Sequence, residues 1–406
     1  MAVRMLALVA LGQFLGMTLW FSATAAAPRI SAEFDLTPAR TAWLTIAVQA
    51  GFVVGTLVSA WYNLADVFNA RRLFAAGCVA GAAANAAIAA TGSLAPVVAL
   101  RFATGAALAC VYPPGMKIAA GWFRERRGTA LGVFIGALTL GSAFPHLLAW
   151  TAADVPWRTL LLASSAMALA GGAIVYTAVG DGPHVAASAP FDPHAIRAVA
   201  ANRKARLATY GYLGHMWELY AMWAWIPAFA AAWMAATVDQ PQRIGSLIAF
   251  LAIGSGAAGC VIAGIWADRI GKARVAGAAL QLSGACCVLA GVWFGAPFWV
   301  LVALATVWGI AVIADSAQFS ALVSEHTPRT HVGTALTLQT CIGFLLTMVS
   351  MQVLPLVAAA YGWRWVFLLL VPGPVLGAIA MRKLDRELAA SRESATPGSQ
   401  LPAPGS

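Results

Sequence analysis

Twelve times along this chain, a run of about 20 mostly apolar residues is closed by a short polar break, and that pattern leaves few folds open. A hydrocarbon core ~30 Å thick is crossed by an α-helix of about 20 residues. In lipid, a spanning segment must satisfy its own backbone hydrogen bonds, which restricts it to helices or a closed barrel. The pattern predicts spans over 5–27, 41–62, 73–91, 96–119, 129–150, 158–179, 207–235, 244–266, 275–294, 297–323, 333–359 and 364–381.

Composition agrees. Hydrophobic residues make up 61% of the 406, and charged residues only 10%, against about a quarter in soluble domains. A net charge of +10 would suggest nucleic acid in a soluble protein. Here too few charges remain for a basic face, so no nucleic-acid partner is expected and the charge is assigned to membrane orientation. Arg4, the run Met5 to Phe21 and Ala23-Thr24-Ala25 imitate a signal peptide. The run is long enough to span and many spans follow, so an uncleaved first helix is the reading adopted.

Lysine and arginine collect in cytoplasmic loops. With both termini and the segment 180–206 placed in the cytoplasm, 19 of the 25 Lys and Arg fall inside, 5 fall outside, and Arg101 lies within a span. This orientation requires an even number of spans. The expected organisation is an N-terminal bundle over 1–179, a cytoplasmic linker over 180–206, a C-terminal bundle over 207–385 and a disordered tail over 386–406.

The two halves repeat in parallel register. Asp66 through Arg72 corresponds to Asp268 through Arg274, Gly128-Thr129-Ala130-Leu131 recurs as Gly333-Thr334-Ala335-Leu336, and Trp157-Arg158 recurs as Trp363-Arg364. The fold class expected is an all-α membrane protein of twelve transmembrane helices in two pseudo-symmetric six-helix bundles. Such halves enclose a cleft that can open to either side by rocking.

Gly264, Asp268, Arg269, Gly271, Lys272 and Arg274, between the eighth and ninth spans, resemble the signature loop of the major facilitator superfamily. Trp266 stands where that family usually has leucine. The first-half copy keeps Asp66, Arg71 and Arg72 but has Tyr62, Val67 and Asn69 in place of glycine, arginine and glycine. Arg101 and Gly105 resemble a second family motif. The resemblance covers roughly residues 1–385. It implies secondary transport by alternating access in a cell inner membrane, with these two loops latching the cytoplasmic gate.

Ionisable groups at mid-span cost about 2.5–3.5 kcal/mol on insertion scales, so they are rarely idle. Glu218 and Asp315 are the two acids placed there. Tyr212, His215, Glu218, Met222 and Trp225 follow at steps of three and four, predicting a shared face toward the cleft. His215 and Glu218 would share a proton there. Asp315 would bind a proton or cation, or pair with Lys117. Arg101 would hold an anionic substrate or tune a nearby acid. Gln13 aligns with His215 across the repeat; the resemblance implies that the first, fourth, seventh and tenth helices line the cavity, and so that Gln13 touches substrate.

The six cysteines lie in apolar runs without metal-ligand spacing and read as buried hydrophobes. No metal or cofactor is expected. No nucleotide-binding loop is present, which argues against ATP as the driver. The function expected is proton-coupled transport of a small solute, in a monomer surrounded by lipid, and not an enzyme. A nitrate/nitrite-like small-anion porter and a non-transporting membrane sensor are the alternatives. The asparagine signature of the nitrate porters is absent from the fifth and eleventh spans. The aromatic seventh span favours an organic, partly apolar substrate.

Overall fold

The computed structural model describes residues 1–123, 127–152, 154–184 and 191–395. Arg124 and Arg126 of the basic loops, residues 185–190 of the linker and residues 396–406 of the tail lie outside the described residues. Among the described residues the secondary structure is entirely helical. Twelve rods dominate: α1 (Ala2–Met17), α2 (Pro38–Trp61), α3 (Ala70–Ala90), α4 (Leu94–Gly121), α5 (Arg127–Thr151), α6 (Trp157–Ala178), α7 (Arg203–Met234), α8 (Pro241–Ile270), α9 (Lys272–Val292), α10 (Phe298–His326), α11 (Val332–Tyr361) and α12 (Pro372–Ala395).

Ten of these, among the described residues, are long and apolar enough to cross a membrane. The other two have specific reasons for falling short. The first rod is interrupted after Met17 and continues through Ser22–Ala25 and Ala27–Phe34. At 32 residues, α7 reaches ~48 Å, yet its Tyr, His, Glu and Trp side chains lower its hydropathy.

Packing repeats after six helices. In the first half α1 packs on α5 and α6, α2 on α4, and α3 on α4 and α6. In the second, α7 packs on α11 and α12, α8 on α10, and α9 on α10 and α12. The halves meet through α5–α8 and α2–α11, two contacts that exchange under the same shift of six. Backbone detail also repeats. A Cβ added at Gly105 would collide with the Val48 carbonyl of α2, and one added at Gly309 with the Ala252 carbonyl of α8. Both numbers differ by 204. Small residues permit this close helix approach in lipid.

The linker and the C-terminal stretch depart from the sequence expectation. The linker carries a short helix, Ala195–Ala201, and α7 begins at Arg203 rather than 207. The stretch from 386, expected to be disordered, stays helical as far as Ala395. Its residues are good helix formers, and Arg274–Asp385 and Arg203–Glu387 ion pairs fasten it to α9 and α7.

Candidate functional site

A small cavity of ≈ 80 Å³ lies where the halves face each other. Its wall is aromatic toward the end away from the chain termini, with Trp20, Phe52, Tyr220, Trp223 and Phe344. Toward the termini it is hydroxylated, with Tyr112, Tyr212, Ser316, Ser320 and Thr340. One to two turns further from the termini a larger vestibule of ≈ 440 Å³ opens between α2, α7, α8 and α11, bordered by Pro38, Pro241 and Trp363. The aromatic rings separate the two spaces. Trp20 meets Phe52, Tyr220 and Phe344 at ring-centroid distances of 5.1, 5.8 and 5.7 Å, and Phe21 meets Trp223 at 5.9 Å. The indole N–H groups of Trp20 and Trp223 have no partner among the described residues. Neither do the side-chain amide of Gln13 and both ring nitrogens of His146, all fully buried.

The predicted residues divide into distinct groups. His215 and Asp315, each 1% exposed, stand 2.7 Å apart from Nδ1 to Oδ1. The approach is close without hydrogen-bond alignment. Asp315 occupies the interruption of α10, between Ala314 and Ser316. Neither side chain lines the cavity itself; their chain neighbours Met216 and Ser316 do, as does Tyr212, whose ring centroid lies 6.0 Å from that of His215. The expected pairing of Asp315 with Lys117 does not occur. Lys117 instead reaches Asp66 and the Ala65 carbonyl, 2.7 Å away.

Glu218 is not His215's partner and does not face the cleft. It points into the C-terminal bundle, where it accepts from Trp308 Nε1 at 2.6 Å, Ser283 Oγ at 2.8 Å and Cys287 Sγ at 3.3 Å. The reason is helical arithmetic. Three residues turn an α-helix by ~300°, so two successive steps of three displace Glu218 by ~120° from Tyr212. The cavity face is the one that steps Tyr212, Met216, Leu219 and Tyr220, Trp223.

Arg101, fully buried, is not open to the cavity either. Its guanidinium donates to the carbonyls of Leu19 at 2.8 Å, of Leu44 at 2.9 Å and of Trp20. The break in the first rod frees carbonyls that lipid cannot satisfy, and arginine's fork of donors supplies them. Asn85 completes this cluster, accepting from Ser22 Oγ at 2.8 Å and donating to the Leu161 carbonyl at 3.0 Å.

The signature loops lie at the end bearing the termini. Arg71 pairs with Asp181 at 2.8 Å, and Arg274 with Asp385 at 3.0 Å. Each ties the third helix of a half to the end of its sixth. The Arg71 guanidinium, foremost, holds the Asp181 carboxyl below its ordinary range. Lys272 pairs with Glu325 at 2.7 Å. Gly271 turns between α8 and α9 at φ 99, a region that favours glycine. Asn69, at the matching first-half position, instead caps α3 by accepting from Arg71 and Arg72 backbone N–H groups. Asp268 has no ion pair, and Arg72 and Arg269 no salt bridge, among the described residues. The described ion pair of Asp66, with Lys117, lies within its own half.

Sequence reasoning missed the aromatic partition and the ligands of Glu218. A helical wheel centred on Tyr212 would have found Tyr220 and Trp223. It also missed a buried bond between the halves, from Thr347 Oγ1 of α11 to Gln49 Oε1 of α2 at 2.5 Å.

The sequence profile of the Major Facilitator Superfamily matches residues 9–238 and 213–404. The chain belongs to this superfamily. Hexuronate transporters of Escherichia coli K12 and of Escherichia coli O157:H7 are each 29% identical to it over 165 residues, 40% of this chain and 38% of theirs. The alignment thus spans under half the length of those relatives. A crystal structure of the nucleoside transporter NupG, in an aspartate-to-alanine mutant, superposes with a TM-score of 0.69 at 15% identity, covering 94% of this chain and 99% of that one. That likeness shows the fold. The chain is a multi-pass membrane protein of a superfamily that moves small solutes.

Proposed function

We propose that this superfamily member moves an uncharged, ring-bearing organic solute by alternating access and takes up a proton on the His215–Asp315 pair. The observation that carries the proposal is that pair: an acid and a base 2.7 Å apart, buried, at a helix interruption beside the cavity between the halves. A histidine exchanges a proton near neutral pH. Interrupted helices at membrane depth are where transporters place such groups. Gaining a proton on the pair changes the charge next to Tyr212 and Ser316, and so biases which way the halves rock.

The solute class follows from the cavity's chemistry. Aromatic faces stack on apolar ring faces, while unpartnered indole N–H groups and nearby hydroxyls suit hydroxyl groups on the ring. Hexuronate and nucleosides, the solutes in the names of the Escherichia coli transporters and of NupG, are both hydroxylated rings. They differ in that hexuronate carries a carboxylate. A buried carboxylate is costly without a cation or a full set of donors. Here Arg101 is spent on carbonyls and Lys117 on Asp66. An uncharged ring therefore fits better, and a small-anion porter fits poorly. We place the termini and the ion-paired loops in the cytoplasm, where basic residues collect.

The test is transport into proteoliposomes with an imposed pH gradient, using a panel of nucleosides, neutral sugars and hexuronates. The proposal expects an uncharged ring to accumulate and Asp315→Asn to abolish the dependence on the gradient. Transport of hexuronate alone would overturn the solute class. Unchanged gradient dependence in Asp315→Asn would overturn the coupling site.

A further inference from the structure

Away from the cleft, a groove of ≈ 520 Å³ runs down the outside of the C-terminal bundle between α7, α11 and α12. We propose that it binds one phospholipid, with an acyl chain in the groove and an anionic headgroup on Lys383.

The groove exists because α7 and α12 pack together at glycines, which put no side chain into the space outside the contact. A Cβ at Gly214 would collide with the Gly373 carbonyl, and one at Gly373 would lie 2.6 Å from the Gly214 carbonyl. Trp217 closes the top by donating its Nε1 to the Leu369 carbonyl at 2.9 Å, just before α12 starts at Pro372. Below this contact Tyr210, Leu376 and Ile379 form open apolar walls, 50%, 64% and 43% exposed.

Length and charge identify the occupant. Leu376, Ile379 and Lys383 follow Pro372 on one stripe of α12. Pro372 to Lys383 spans ~16 Å at ~1.5 Å per residue, which matches one leaflet of a ~30 Å hydrocarbon core. The groove therefore ends where headgroups begin, and Lys383 stands there. The acids nearby are already engaged, Asp385 by Arg274 and Glu387 by Arg203. Lys383 has no carboxylate partner among the described residues. Lys204, one turn before Leu207, adds positive charge at the same end and bonds Ser391 Oγ at 3.0 Å. A lysine near the membrane surface attracts an anionic lipid by ~1 kcal/mol, about fivefold in affinity.

The experiment is native mass spectrometry of the full chain released from detergent, titrated with phosphatidylglycerol or with phosphatidylcholine of the same acyl length. The wild type is expected to retain one phosphatidylglycerol about fivefold more tightly than phosphatidylcholine. Lys383→Ala should erase that preference but keep acyl binding. Leu376→Trp, at an exposed position where folding is not at stake, should lose both lipids. Equal retention by wild type and Leu376→Trp would overturn the site. No headgroup preference in the wild type would overturn the role of Lys383. A dimer that dissociates in Leu376→Trp would assign the face to a second copy and overturn the proposal.

Discussion

His215 Nδ1 lies 2.7 Å from Asp315 Oδ1, joining α7 to the interruption of α10. The proposed coupling places the proton on this contact, so it requires both side chains. Asp315→Asn and His215→Ala are each expected to cut accumulation driven by a pH gradient at least tenfold while leaving solute exchange without a gradient. Paired measurements of gradient-driven uptake and counterflow in proteoliposomes check this. Loss of both activities together would point to a structural role instead.

Glu218 has its hydrogen bonds inside the C-terminal bundle. Glu218→Gln is therefore expected to keep proton coupling and to lose stability by ~1–3 kcal/mol, since an amide leaves one of the three donors poorly matched. Thermal denaturation in detergent, alongside the coupling assay, separates the two effects. A coupling defect at wild-type stability would return Glu218 to the proton path.

Trp223 lines the cavity, and its indole N–H has no partner among the described residues. Trp223→Phe keeps a ring and removes one donor. It is expected to raise the KM for solute about tenfold with kcat nearly unchanged, as the loss of about one hydrogen bond would. Initial-rate transport kinetics measure both constants. An unchanged KM would exclude this nitrogen from solute binding.

At the end away from the termini, Glu33 accepts from Arg158 at 2.6 Å and from Trp157 Nε1 at 2.7 Å. The Arg158 hydrogen bond first, then that of Trp157, lowers its carboxyl from the ordinary 4.5 to about 2. A lowered value means that the folded state resists protonation more than the unfolded state does. The stabilisation is complete above about pH 4.5 and is lost as pH falls toward about 2. The difference in melting temperature between wild type and Glu33→Gln should therefore hold steady near neutral pH and shrink through that window. A difference that does not change with acidification would remove this pair from the stability of the fold.

Gly105 and Gly309 occupy equivalent positions in the two halves, each against a carbonyl of the neighbouring helix. Leucine at either site is expected to abolish recovery of folded protein, because backbone rather than a movable side chain blocks it. Size-exclusion profiles of the two variants test the equivalence. A normal profile for one and not the other would break the symmetry argument at that point.

Much of this protein was written in one dimension. The lengths of the apolar runs determined that helices cross a membrane, since lipid leaves the backbone no other partner. The offsets linking Asp66 with Asp268 and Trp157 with Trp363 determined that two similar halves follow each other. Tertiary structure decided where each costly side chain points. A difference of ~120° around α7 separates Tyr212 in the cavity from Glu218 among Trp308, Ser283 and Cys287. Arg101 is held by carbonyls of Leu19, Trp20 and Leu44, which come together only once the first rod breaks beside α2 and α4. Periodicity is local and survives in a string of letters, whereas partners contributed by distant helices exist only after those helices have packed.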